Sequence, residues 1–185
     1  MNHFRLMRIL LVFAFIVGAL ASPNPAAAAS AAEIERNAQK ALQDLYAKSP
    51  AAKALGEKAI GILVFPGIVK GGFIVGGQYG EGALIKDGKT VAYYNTVAAS
   101  YGLQAGLQKF GYALFFMTDS ALKWIDKSDG WEIGVGPSIV VVDVGAAASM
   151  TSTTLQSDIY AFFFDQKGLM AGIGLQGTKI TRLEK

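Results

Sequence analysis

The sequence predicts an α+β fold that is mainly β, with an N-terminal amphipathic helix packed on a strongly curled, glycine-rich, mostly antiparallel sheet or barrel. Three observations predict it. Apolar residues after position 30 recur with a helical period. From residue 58 the pattern changes to long apolar runs divided by Asp-Gly pairs. Glycine then occurs inside those runs as well as between them.

Residues 1–29 read as a secretory signal peptide that is cleaved. Arg5 and Arg8 form its positive start, and residues 9–21 form an uncharged apolar run. That run is shorter than the roughly 20 residues of a membrane-spanning helix. Cleavage after Ala21 or after Ala29 fits the small residues that follow. Pro23 and Pro25 favour the second position, because they end the helix and leave a short polar segment. An uncleaved anchor is the competing reading. The chain has no cysteine to carry a lipid, so the expectation is an exported, periplasmic or envelope-associated protein that is not a lipoprotein. Residues 30–185 are then a single domain, long enough to bury a core without disulfides.

Residues 31–48 read as a helix with Ile34, Ala38, Ala41, Leu42 and Leu45 on one stripe. Ser30 and Glu33 have the spacing of a capping box. Ser49-Pro50 ends the helix, and a shorter helical segment spans residues 51–55 up to Gly56. Residues 59–65 form a buried-type strand that stops at Pro66-Gly67. Residues 72–86 and 89–104 are long strands joined by Asp87-Gly88, a hairpin signal because both turn positions need positive φ. Residues 107–117 are a further strand, and Thr118 caps a short helix over about 119–126. Asp129-Gly130 is a turn. Residues 131–144, 159–164 and 169–180 complete the β-rich part, 58–181, with Gln166-Lys167-Gly168 as the last turn.

All but one of the 22 glycines lie after the leader, well above the roughly 7% average of proteins. Glycine weakens a strand, so this density predicts sharp bends, bulges or close backbone approach.

Composition narrows the chemistry. The single histidine is His3, inside the leader, so the domain has no His or Cys nucleophile and lacks the best zinc ligands. No cofactor is expected. Removing Arg5 and Arg8 leaves a net charge of +1, with no run of Lys and Arg, and nucleic acid is not an expected partner.

The motifs that match a pattern fail on context. Gly172-Ile173-Gly174-Leu175-Gln176-Gly177 fits a dinucleotide loop, yet only eight residues follow where a helix would have to begin. Ser120-Ala121-Leu122-Lys123 fits a serine–lysine pair, but its companion motifs are missing and a capped helix explains it. Residues 126–130 lack the alternating ligands of a calcium loop. Asp119, Asp143, Asp158 and Asp165 have no spacing that singles out an acid–base couple. The helix over 31–48 presents Arg36, Lys40 and Gln43 opposite its apolar stripe, as an interfacial helix would, though packing on its own sheet is the plainer reading.

The block Ala59-Ile60-Gly61-Ile62-Leu63-Val64-Phe65-Pro66, followed by Val69-Lys70-Gly71-Gly72-Phe73-Ile74-Val75-Gly76-Gly77 and Gly80-Glu81-Gly82, resembles the SYLF domain family. Tyr101-Gly102-Leu103-Gln104-Ala105-Gly106, Met117-Thr118-Asp119-Ser120-Ala121-Leu122 and the stretch from Lys167 to Leu175 extend the resemblance, which covers about residues 35–180. It implies a phospholipid- or membrane-binding domain without catalysis. In eukaryotic members an N-terminal amphipathic helix engages phosphoinositides through basic residues. By position this points to Arg36, Lys40 and Lys48 as lipid-binding residues, and Lys70 matches the lysine of the family's V-x-K-[AG]-G block. Glu33 and Asp44 depart from a purely basic helix.

Four functions are therefore in contention. The first is a non-catalytic envelope module that binds anionic lipid head groups through the basic helix. The others are a structural scaffold with an envelope protein partner, a small outer-membrane β-barrel, and an enzyme built on Ser120 and Lys123 or on the aspartates.

Overall fold

The computed structural model describes residues 29–127, 129–142, 157–168, 175 and 177–185. The proposed leader up to Ala28, with the candidate cleavage position after Ala21, the end of the strand expected at 131–144, and most of 169–176 lie outside them.

Helix α1 (Ala31–Lys48) starts where its cap predicts: the Ser30 hydroxyl accepts the Glu33 N–H at 3.2 Å. Its C-terminus and the start of α2 (Pro50–Gly56) share one buried residue. Ser49 donates its N–H to the Leu45 carbonyl and accepts the Ala52 N–H on its hydroxyl. Pro50 takes the first helical position, where its missing N–H costs nothing.

Two very long strands follow, β1 (Gly61–Lys86) and β2 (Lys89–Phe116), paired antiparallel through the Asp87-Gly88 turn. Both turn residues have positive φ, 50° and 74°, as the hairpin requires. The sequence suggests interruptions at Pro66-Gly67 and near Leu107. Both strands instead run through them. Pro66 and Gly67 occupy a bulge between the Phe65 and Ile68 pairings, where a residue without an N–H is tolerated.

The ribbon is bent double near its middle. A Cβ on Gly72 would stand 2.3 Å from the Gly76 Cα, whereas residues four apart in a straight strand are separated by about 13 Å. The register breaks at the same place, between Phe73 and Val75.

The far side of β2 is shared. Residues 108–116 pair with β5 (Ile159–Gly168), and residues 93–97 with β6 (Lys179–Leu183). Strand β3 (Trp131–Glu132) pairs antiparallel with β6, and β4 (Ile139–Val142) parallel with β5. The single strand expected at 131–144 is thus split. Gly134 and Gly136 turn the chain between its halves with φ of 110° and 97°. The short helix α3 (Asp119–Leu122) is capped by Thr118 and ends earlier than predicted. The result is a curled half-barrel, α+β and mainly β.

Both faces of its central strands are covered. Leu63, Phe65, Tyr112, Leu114, Phe116, Ile159 and Ala161 point into the curl, with Trp131 and Ile180. Their neighbours Ile62, Val64, Ala113, Phe115, Tyr160 and Phe162 point outward and pack under the α1 stripe of Ile34, Ala38, Ala41, Leu42 and Leu45. Burial on both faces is why these strands read as unbroken apolar runs instead of alternating ones.

Candidate functional site

Where α1 crosses the ribbon, an open groove of about 580 Å³ remains. Ile34, Asn37, Lys40, Ala41 and Asp44 line it from the helix, and Pro66, Gly67, Val69, Tyr79, Gly80 and Glu81 from β1. Lys109 of β2 and Asp165 of β5 close its far end. The Pro66-Gly67 bulge shapes the floor. A side chain on Gly67 would meet the Lys109 Cε at 3.4 Å, so the lysine lies across the bare glycine.

Asp165 is directed by its own backbone. It sits at a register break between the Gly111–Phe164 and Lys109–Lys167 pairings, with φ of 51°. Aspartate is one of the few non-glycine residues that accept this left-handed conformation. From the bulge its carboxylate reaches the Lys48 ammonium at 3.1 Å.

The four basic residues expected to bind lipid are placed differently from one another. Lys40 lines the groove and pairs with Asp44 at 2.6 Å, one helical turn away. That hydrogen bond raises its ammonium above its ordinary value, and the Asp165 charge adds to the effect. Lys48 stands at the groove's edge in the Asp165 pair. Arg36 is exposed on α1 and does not line the groove; among the described residues it has no ion-pair partner. Lys70 is half-buried on β1, opposite Gln108, and is not part of this lining. The structure therefore places Lys40 in the groove and Lys48 on Asp165 at its edge, and leaves Arg36 and Lys70 out of the lining.

Lys109 is the residue that sequence reading missed. It is exposed, and among the described residues it has no ion-pair partner. A signal for it existed: it is the only charged residue between Val97 and Thr118. Its role depends on the bulge and the helix crossing, which no local pattern reveals.

One corner of the groove is tied shut. The nearly buried Glu81 carboxylate accepts the Ala29 N–H at 3.2 Å, the Tyr79 hydroxyl at 3.0 Å and the Lys185 ammonium at 3.3 Å. Lys185 also donates to the Ala29 carbonyl. Partial burial, together with the Glu81 bond, raises the Tyr79 phenol above its ordinary value.

The remaining polar candidates do not converge here. Ser120 bonds to Thr118 at 3.1 Å, Lys123 is exposed, and neither lines the groove. Asp158 is held by the Ser138 N–H and hydroxyl and by Thr118, and the Ser138 backbone bond leads in holding its carboxyl below the ordinary carboxylate range. Asp143 lies outside the described residues. Among the described residues no three His, Cys, Asp or Glu side chains gather closely enough to hold a metal ion. None of the described helices is long and apolar enough to cross a membrane.

The groove therefore sets Lys40, paired with Asp44, and Lys109 beside the carboxylates of Glu81 and Asp165 and the apolar Ala41, Pro66 and Val69. No curated protein matches the chain. The family model described as "Ysc84: Las17-binding protein actin regulator" matches residues 97–185. That span runs from the middle of β2 to the last residue and contains Lys109, Asp165 and Lys185. Over residues 97–185 the chain is therefore similar to the SYLF, or Ysc84, domain family.

Proposed function

We propose that this protein is a non-catalytic module of the cell envelope that binds anionic phospholipid head groups at a membrane surface. The observation that carries the reading is the groove, where Lys40 and Lys109, the latter without an ion-pair partner among the described residues, stand beside an apolar wall at the open edge of α1. A phosphate or glycerol-phosphate head group matches that chemistry. Its charge would meet ammonium groups, and its carbon atoms would meet Pro66 and Val69.

The helix takes part with its polar face. Its apolar stripe is already buried under the sheet, and Ile34, Ala38 and Leu45 are at most 2% exposed. Inserting that stripe into lipid would strip α1 from the outer core. The envelope location rests on the leader expected at residues 1–29. An outer-membrane barrel is disfavoured because α1 covers the face that such a barrel would turn to lipid.

A protein-interaction role has one observation in its favour. Strand β4 ends the strand order among the described residues, with Val140 and Val141 exposed. An edge strand of this kind can pair with another chain.

The test is a charge variant, Lys40→Gln with Lys109→Gln, in residues 29–185. The reading expects weaker sedimentation with phosphatidylglycerol vesicles and an unchanged melting midpoint. Equal sedimentation of variant and parent would remove the groove as the site.

A further inference from the structure

The exposed apolar side chains are concentrated at the bend of the β1–β2 ribbon. Val69, Val75, Tyr79, Val97 and Leu107 all flank it, with Leu107 67% and Val75 57% exposed. Leu107 lies over Gly71, its register partner, with a Cδ1 at 3.2 Å from where a Cβ would stand. A single outward face thus runs from Val69 across Gly71 and Leu107.

The charge pattern of this region is one-sided. Residues 69–79 and 97–107 contain no carboxylate, and Lys70 is their sole charged residue. Just behind the bend, Lys109 faces Lys167 across the β2–β5 pairing, and both are exposed. Among the described residues neither has an ion-pair partner. The bend is therefore an apolar, glycine-rich tip with Lys109 and Lys167 behind it and the Lys48-paired Asp165 beside them. Three of the tip's neighbours, Val69, Tyr79 and Lys109, also line the groove.

We propose that the ribbon bend is the element that enters the membrane, placing Leu107 and Val75 in the head-group/acyl boundary of an anionic bilayer while Lys109 and Lys167 meet the head groups. This inference rests on the lipid-binding reading and adds a second contact to it. Water-exposed apolar groups gain by entering the boundary, and cations near an anionic surface are attracted to it. A carboxylate at the tip would oppose both effects, and neither flanking stretch has one. α1 cannot supply the apolar contact, because its stripe is already buried.

The test uses residues 29–185 and phosphatidylglycerol-containing vesicles. Leu107→Asp and Val75→Asp are compared with Val140→Asp, which alters an exposed valine on β4. Losing one inserted side chain should cut vesicle affinity about tenfold or more in the first two variants. Val140→Asp should leave it unchanged. Leu107→Trp supplies a readout that keeps the site apolar: its fluorescence should be quenched by vesicles with brominated acyl chains. Parent binding that survives Leu107→Asp, with no quenching at Trp in the second variant, would overturn the tip while leaving the groove reading intact. A parent that binds no vesicle would overturn both. A parent dimer that Leu107→Asp converts to a monomer, with vesicle binding unchanged, would assign the bend to self-association instead.

Discussion

A Cβ built on Gly82 would stand 2.3 Å from the carbonyl oxygen of Val64. The two residues belong to the same strand, eighteen positions apart, and they meet because β1 crosses over itself. Gly80 makes a similar approach to Ile68. This crossing closes the curl and sets the floor of the groove, since Gly67 and Gly80 both line it. Neither the Val64 backbone nor the adjacent Phe65 ring, itself fully buried, has room to retreat. Gly82→Ala should therefore cost about 3 kcal/mol, as overpacking a tight contact does. Gly77→Ala is the control, because its added carbon meets only the Ala98 carbonyl at 3.6 Å. Its effect should stay within about 0.5 kcal/mol. Urea denaturation of the two variants measures the difference.

Tyr112 sets an alkaline limit to stability. It is fully buried and shares a 2.8 Å hydrogen bond with Thr96. Burial pushes its phenol well above the ordinary value, with the Thr96 bond opposing slightly. Tyr46 is likewise pushed up to about 12, first by burial and then by Glu57. Below pH about 10 both phenols are neutral whether the chain is folded or not, and stability does not depend on them. Above it the unfolded chain releases protons that the folded chain keeps, so stability falls as pH rises through the raised values. The slope approaches about 1.4 kcal/mol per pH unit for a buried tyrosine such as Tyr112. Tyr112→Phe should flatten that limb, at a cost of about 1 kcal/mol at neutral pH from the stranded Thr96 hydroxyl. Melting midpoints followed from pH 7 to 11 would show both effects.

Much of the fold is legible locally. Ser30, Glu33 and Ser49-Pro50 mark the bounds of α1 because capping is a matter of neighbouring residues. Asp87-Gly88 marks the hairpin for the same reason. What the sequence hides is non-local. Pro66-Gly67 looks like the end of a strand, yet pairing with β2 carries β1 through it as a bulge. Gln166-Lys167-Gly168 looks like a turn, yet Lys167 and Gly168 pair with Lys109 and Gln108. The groove is hidden for a related reason. Lys40 is visible as a helix cation, but its neighbours Lys109 and Asp165 come from strands about 70 and 125 positions away and are brought there by the ribbon's crossing.

Asp165 should restrain the groove's affinity for anions. Its carboxylate occupies Lys48 and faces the same space as Lys109. Asp165→Asn keeps a residue that tolerates positive φ while removing the charge. Affinity for phosphatidylglycerol vesicles should rise about fivefold, on the scale of one cation freed near an anionic surface. Stability should change by less than about 1 kcal/mol, because both partners of the pair are roughly half exposed. Vesicle titration and thermal melting report the two quantities separately.

The tie between Glu81 and Lys185 should matter more to folding. Their side chains are only 10% and 15% exposed, so water compensates little when the pair is broken. Lys185→Ala leaves the carboxylate with the Ala29 N–H and the Tyr79 hydroxyl alone. The expected loss is about 1–2 kcal/mol, between the cost of opening an exposed pair and a buried one. It should appear as a lower urea midpoint with an unchanged slope.

The most direct measurement is co-sedimentation of residues 29–185 with phosphatidylglycerol and with phosphatidylcholine vesicles, each at low and high salt. The proposed function predicts binding to the anionic vesicles alone, weakening as salt screens Lys40 and Lys109. Absence of binding to either lipid at low salt would contradict it, and would shift the assignment to a protein partner at the β4 edge.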